Sequence, residues 1–273
     1  MVAGGYGAFL LTGLPHLPSE SLGVIHVFVS FFAVLTALLS FFMASTAPPG
    51  ILQPITLAYF DNYAYDQVLY TADRECTTCH ATKLARSKHC SVCDVCIPRF
   101  DHHCVWLNAC IGEGNHFVFM RFLFIHVLFC GYGSYVLFWI LYDEFARLLA
   151  EESFVHEATH AVVQGDPVVV LQYLLHAEAV NTALFVLCAG MGVALVVFFL
   201  FHCYLVATNV TTNEFFKRRQ QRNCNLPSPQ NVYNLGSAYA NFVEIWTPRC
   251  FAKARAMAAA KHSESSSKQK KRE

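Results

Sequence analysis

The chain has 273 residues, of which 55% are hydrophobic and only 14% charged, about half the charged fraction of a typical soluble globular domain. Such a composition excludes an ordinary soluble domain and points to a bilayer. Acidic and basic residues balance at a formal charge of zero, so the placement of basic residues carries the information, and no nucleic-acid partner is expected.

In chain order, the stretch from Val2 to Leu14 is apolar but short, and it is broken by Gly4, Gly5, Gly7 and Gly13. It reads as a stub of a helix whose beginning is missing, a re-entrant segment or a cleaved signal, and residues 1–20 form an N-terminal segment. Three stretches are long enough to cross a hydrocarbon core of roughly 30 Å, which takes about 20 helical residues. Leu22 to Ala44 places the first span at 21–44. A loop at 45–116 follows, with a Cys- and His-rich part at 76–116. Phe117 to Tyr142 places the second span at 117–142, and a connection runs over 143–181. Within it, Val168 to His176 is too short to span, and lies on the membrane or prolongs the next helix. Thr182 to Ala207 places the third span at 182–207, ahead of a tail at 208–273. The fold expected is an all-α polytopic membrane protein with three to four transmembrane helices and a small zinc-binding domain of loops and short hairpins.

Short cytoplasmic loops are enriched in Lys and Arg. The first loop holds Arg74, Lys83, Arg86, Lys88 and Arg99, and the tail holds Lys217, Arg218, Arg219, Arg222 and more. Both are expected to face the cytosol. The connection has one basic residue, Arg147, against seven acidic ones from Asp143 to Glu178, and is expected in the lumen. The polar, Lys-rich end from Ser263 to Glu273 reads as disordered. Its Lys270 and Lys271 resemble the dilysine retrieval signal of endoplasmic-reticulum membrane proteins.

Seven of the twelve cysteines crowd into Cys76 to Cys110 together with histidines, which reads as metal in a reducing compartment rather than as disulfides. The order is Cys76 and Cys79, then His89, Cys90, Cys93 and Cys96, then Asp101, His102, His103 and Cys104, then Cys110. A two-residue gap lets both thiolates of a pair reach one tetrahedral Zn²⁺. So polar a loop could not fold on its own core, so metal would supply the folding energy. Two closed sites need eight ligands, which six cysteines and two histidines provide, so one cysteine is spare. Spacing alone does not say which. Only Cys104 has adjacent histidines with a carboxylate just before them. Asp101 can orient His102, and His102 can take the thiol proton of Cys104, the order of orienter, base and nucleophile in covalent catalysis. The competing reading makes Asp101 an outer partner of a zinc-bound histidine and Cys104 another ligand. Against it stands the location of Cys104, about a dozen residues before a membrane span, where a nucleophile meets a thioester whose chain lies in the bilayer.

The run from Cys76 to Phe117 resembles the cysteine-rich domain of the DHHC family of protein S-acyltransferases. It shares the paired cysteines, His-Cys, Asp-His-His-Cys, Trp106, Asn108, Cys110, Gly112 and Asn115. Pro49-Gly50 resembles the family's Asp-Pro-Gly element, Thr211, Thr212 and Glu214 fit its Thr-Thr-x-Glu motif, and Asn231 to Asn241 resembles its short C-terminal motif. The resemblance implies one zinc on Cys76, Cys79, His89 and Cys96 and another on Cys90, Cys93, His103 and Cys110, with Cys104 free. It implies a two-step reaction in which Cys104 takes a long-chain acyl group, usually palmitoyl, from acyl-CoA. Cysteines of cytosolic or membrane proteins then receive it, and the acyl chain lies in a cavity among the helices. The dilysine ending resembles an endoplasmic-reticulum and Golgi subgroup. Departures are Leu84 and Val105 where proline is common, Ala109 where asparagine is common, and an N-terminal segment too short for a full first helix.

His80 and His116 read as solvated or structural, Cys130, Cys188 and Cys203 as packing residues inside spans, and His126 and His202 as neutral, hydrogen-bonded side chains near span ends. Cys224 and Cys250 read as inert thiols or acylation sites. A zinc-stabilised adaptor or ubiquitin-ligase-like module is the competing function, disfavoured because His103 and Cys110 do not form a late Cys-x-x-Cys pair. A channel or transporter would want charged or broken helices at the midplane.

Overall fold

The computed structural model of the chain describes residues 2–151, 153–155, 162–224 and 230–254. The Lys270 and Lys271 ending lies outside the described residues. The elements run α1 (Val2–Thr12), α2 (Ile25–Thr46), α3 (Leu57–Phe60), β1 (Lys88–Cys90), β2 (Val95–Ile97), β3 (His102–Cys104), β4 (Ala109–Ile111), α4 (His116–Glu151), β5 (Ser153–Val155), β6 (Val162–Gln164), α5 (Pro167–Ala177), α6 (Ala179–Ala207), α7 (Thr212–Asn223) and α8 (Ala238–Trp246). Among the described residues α2, α4 and α6 are long and apolar enough to cross a membrane. The protein is an integral membrane protein, mostly helical, with a cysteine-rich cluster, as composition required.

Helix ends follow local chemistry. α2 starts at Ile25 rather than Leu22, because Ser19 and Ser21 are held by Asp143. Ser19 Oγ donates to Oδ2 at 2.5 Å, Ser21 N to Oδ2 at 3.0 Å and Ser21 Oγ to Oδ1 at 2.6 Å. It ends just before Pro48 and Pro49, which lack the N–H that a further turn needs. α4 does not stop at Tyr142. Its polar continuation is stabilised along one helix face by Arg147, which pairs with Glu144 at 2.6 Å and Glu151 at 3.6 Å, the spacing at which helical side chains meet. Val168 to His176 belongs to its own helix. Asp166 caps α5 by accepting from Val168 N and Val169 N, and α5 and α6 are separate elements on either side of Glu178.

The chain divides into two compact units. One comprises Met1–Phe41 and Phe122–Phe199, the other Phe42–Arg121 and Leu200–Glu273. In the first, Phe9, Leu22, Val136, Leu137 and Ile140 form a buried cluster with Leu184 and Phe185 packed on it. Asn181 ties α6 to the end of α1, accepting from Thr12 Oγ1 at 2.8 Å and donating to Thr12 O at 3.1 Å. α4 and α6 approach through glycine: a Cβ on Gly133 would lie 3.2 Å from Cys188 Sγ, and one on Gly192 3.4 Å from Cys130 Cβ. Helices α1, α2, α4 and α6 line a half-open apolar cavity of about 180 Å³ with Tyr6, Phe9, Ser30, Phe129, Val136 and Leu195 among others.

The second unit holds the cysteine-rich segment. β1 pairs antiparallel with β2, placing His89 opposite Cys96, and β3 with β4, placing His103 opposite Cys110. Gly112 and Gly114 let this segment lie against the Pro48-Pro49 backbone; a Cβ on Gly114 would come 2.6 Å from Pro48 O. At such contacts only the absence of a side chain permits the approach.

Candidate active site

Three turns of one build shape the site. Each starts on a cysteine and closes, four residues on, with a residue in the left-handed region: Cys76 to His80 (φ 50°), Cys90 to Asp94 (φ 54°) and Cys104 to Asn108 (φ 48°). In each, the backbone N–H groups two and three residues beyond the cysteine favour its ionised sulfur. In the first two turns the third residue on is a second cysteine, Cys79 or Cys93. In the third turn it is Leu107. Cys104 therefore has the backbone setting of a metal-binding thiolate without the neighbouring thiol that would complete a chelate.

The other cysteines fall into two sets. The ligand atoms of Cys76, Cys79, His89 and Cys96 lie within 4.8 Å of one another, as do those of Cys90, Cys93, His103 and Cys110. Tetrahedral zinc, with Zn–S near 2.3 Å and Zn–N near 2.0–2.1 Å, spaces sulfurs about 3.8 Å apart and sulfur from nitrogen about 3.6 Å. Observed spacings bracket those values: His89 Nδ1 is 3.2 Å from Cys79 Sγ and 3.9 Å from Cys96 Sγ. His103 Nδ1 is 3.3, 3.7 and 3.6 Å from the sulfurs of Cys93, Cys90 and Cys110. The remaining nitrogen of His89, Nε2, lies 3.5 Å from Asp94, the outer carboxylate that commonly orients a metal-bound imidazole. Both sets fit zinc in donor type and distance, and Cys104 belongs to neither.

His102 Nδ1 lies 2.7 Å from Asp101 Oδ2, which fixes the tautomer and leaves Nε2 for Cys104. Burial alone would raise the Cys104 thiol; the His102 imidazole, and after it the N–H groups of Leu107 and Trp106, outweigh burial and hold it below its ordinary value. Burial likewise works against the imidazolium, but the bond to Asp101 and the contact with Cys104 push His102 up to about 9. Asp101 is buried, yet the His102 bond holds it well below the usual carboxylate range. The arrangement favours a thiolate beside an imidazolium backed by a carboxylate, which suits nucleophilic attack followed by proton return.

Asp101 is gripped from the chain's far end. Thr212 N donates to Oδ1 at 2.7 Å and Thr212 Oγ1 to Oδ2 at 2.8 Å. Thr212 is aimed by the start of α7, where Thr211 and Glu214 form a capping box that satisfies the N–H groups of Thr211 and Glu214. Glu214 also receives Arg86 in a two-pronged contact, Nε to Oε1 at 2.8 Å and Nη2 to Oε2 at 2.9 Å, and both side chains are fully buried. Arg86 Nη1 reaches Asn209 Oδ1 at 2.9 Å, and its guanidinium lies 4.3 Å from the Tyr233 ring centre. Asn241 closes this side, donating to Ala207 O at 2.8 Å and accepting from Leu235 N at 2.9 Å.

The model of the DHHC palmitoyltransferase family matches residues 70–219. Palmitoyltransferase ZDHHC4 of Bos taurus is 32% identical over 239 residues, covering 82% of this chain and 68% of that protein. The chain belongs to the DHHC palmitoyltransferase family. Palmitoyltransferase ZDHHC4 of Rattus norvegicus is 32% identical over 220 residues, covering 75% of this chain and 62% of that protein. Palmitoyltransferase SWF1 of Saccharomyces cerevisiae is 44% identical over 80 residues, 29% of this chain and 24% of that protein. The chain thus spans about two thirds or less of the length of these relatives.

In this DHHC chain the structure brings Asp101, His102 and Cys104 into one site and gathers all eight expected ligands into two sets. It also brings in residues that the sequence did not place at the site. Arg86 read only as one of several loop cations, and nothing local marks it, since its partner Glu214 is 128 residues away. His202 and His116, read as neutral or structural, lie near Asp101 and His102: His202 sits 5.8 Å from the His102 ring centre and His116 6.5 Å from that of His202. His80 holds the left-handed end of the first turn.

Proposed function

We propose that this chain transfers a long-chain acyl group, typically palmitoyl, from acyl-CoA through a thioester on Cys104 to cysteines of target proteins. The observation that carries the reading is a cysteine outside both metal sets, next to an imidazole bound to Asp101 at 2.7 Å. The Cys104 thiolate attacks the acyl-CoA carbonyl, the carbon–sulfur bond to CoA breaks, and the His102 imidazolium gives its proton to the leaving thiolate. A substrate cysteine, deprotonated by His102, then attacks the acyl-enzyme and Cys104 leaves as thiolate. Asp101 keeps the imidazole in the tautomer both steps need. Cys76, Cys79, His89 and Cys96 hold one structural Zn²⁺, and Cys90, Cys93, His103 and Cys110 a second. When bound, zinc supplies the cross-links that a segment with so small a core needs to stay folded. The apolar cavity of the first unit suits a fatty acyl chain. Basic residues around the site support a cytosolic orientation.

Purified protein given labelled palmitoyl-CoA should form a hydroxylamine-sensitive adduct, and Cys104→Ser should abolish it while keeping two zinc ions per chain. No adduct on the unaltered protein, or zinc loss in Cys104→Ser, would reject the reading.

A further inference from the structure

We infer that His202 is a positioning residue that holds the plane of the His102 imidazole through both steps of the transfer; the inference rests on the acyltransferase reading. A single hydrogen bond from Nδ1 to Asp101 leaves the ring free to swing about that bond, which would move Nε2 off Cys104. Contacts on the ring's flanks remove that freedom. Phe119 meets His102 at 5.1 Å between ring centres with planes 70° apart, and His202 meets it at 5.8 Å and 46°. Phe119 and His202 also pack on each other at 5.1 Å and 74°, so the three rings form a closed triangle. Phe201 backs His202 at 5.7 Å. Neither Phe119 nor His202 is exposed beyond 1%, so neither ring has room to yield.

Packing alone would be met by phenylalanine, and a buried imidazole costs free energy that a phenyl ring does not. The nitrogens explain its presence: a ligand atom of His202 lies within 4.8 Å of both an Asp101 carboxylate oxygen and a His102 nitrogen. His202 thus places a polar edge within 4.8 Å of both members of the pair. Thr212, ten residues further along the same α6 to α7 segment, grips Asp101 by two bonds. One segment of chain therefore sets both members of the pair, the carboxylate by Thr212 and the imidazole by His202.

The test compares the full-length protein with His202→Phe and His202→Gln, measuring zinc content and single-turnover autoacylation over a range of palmitoyl-CoA concentration. Small misplacements of a catalytic group cost up to about 100-fold in rate. His202→Phe, which keeps a flat ring and removes the nitrogens, should keep two zinc ions and an unchanged half-saturating concentration while its maximal rate falls by about ten- to a hundredfold. His202→Gln, which restores a polar edge, should recover part of that loss. A wild-type rate in His202→Phe overturns the inference. So does zinc loss in both variants, which would assign His202 to the fold, or a raised half-saturating concentration at unchanged maximal rate, which would assign it to acyl-CoA binding. Failure of the unaltered protein to form any adduct would instead reject the acyltransferase reading itself.

Discussion

Glu214→Gln isolates the charge that links the start of α7 to the cysteine-rich segment. The change keeps the side-chain shape but leaves the Arg86 guanidinium, whose side chain is 0% exposed, without its counter-charge. Removing one partner of a buried ion pair costs about 3–5 kcal/mol, because the other charge stays desolvated. For a protein of this size about 1 kcal/mol corresponds to roughly 2–4 °C, so the midpoint of thermal unfolding in detergent should fall by roughly 10 °C. The double variant Arg86→Met with Glu214→Leu should recover most of the loss, since neither member of the pair is then left as a buried charge without its partner. It should stay about 1 kcal/mol short of the unaltered protein, because Thr211 N loses the Glu214 carboxylate that accepts it at 3.0 Å. A single variant within about 2 °C of the unaltered protein, or a double variant no better than the single, would refute the reasoning.

Thr212→Val removes the hydroxyl bond to Asp101 at 2.8 Å but keeps the backbone bond at 2.7 Å. A lost hydrogen bond of about 1 kcal/mol should slow autoacylation about fivefold with zinc content unchanged, as read by single-turnover kinetics; an unchanged rate removes Thr212 from this role. His102→Ala should shift the pH midpoint of Cys104 alkylation upward, because the imidazole is the chief group holding that thiol below its ordinary value. Coincident midpoints would contradict it. The same histidine gives a stability signature. Its pKa rises on folding from 6.5 to about 9, so its contribution is complete below about 6.5 and is lost as pH rises through about 9. Thermal unfolding midpoints of the unaltered protein should fall between those values, and His102→Ala should lack that component.

Much of this was legible in the residues because its physical signals are local. A run of about 20 apolar residues identifies a span by the thickness of the hydrocarbon core, and Cys76-x-x-Cys79 identifies a ligand pair by the reach of two thiolates. The surplus thiol beside Asp101 and His102 was likewise countable. Helix ends were less so: α4 runs to Glu151 because Arg147 pairs with Glu144 and Glu151, and a hydropathy reading stops where polar residues begin. What only the tertiary structure decided are relations between residues far apart in sequence. Arg86 finds Glu214, Thr212 grips Asp101, and His202 flanks His102 at separations of about a hundred residues. Burial makes these polar partners choose one another, since an unpaired group away from water costs more than the chain closure that brings its partner. Such a choice leaves no periodic or spaced trace along the chain.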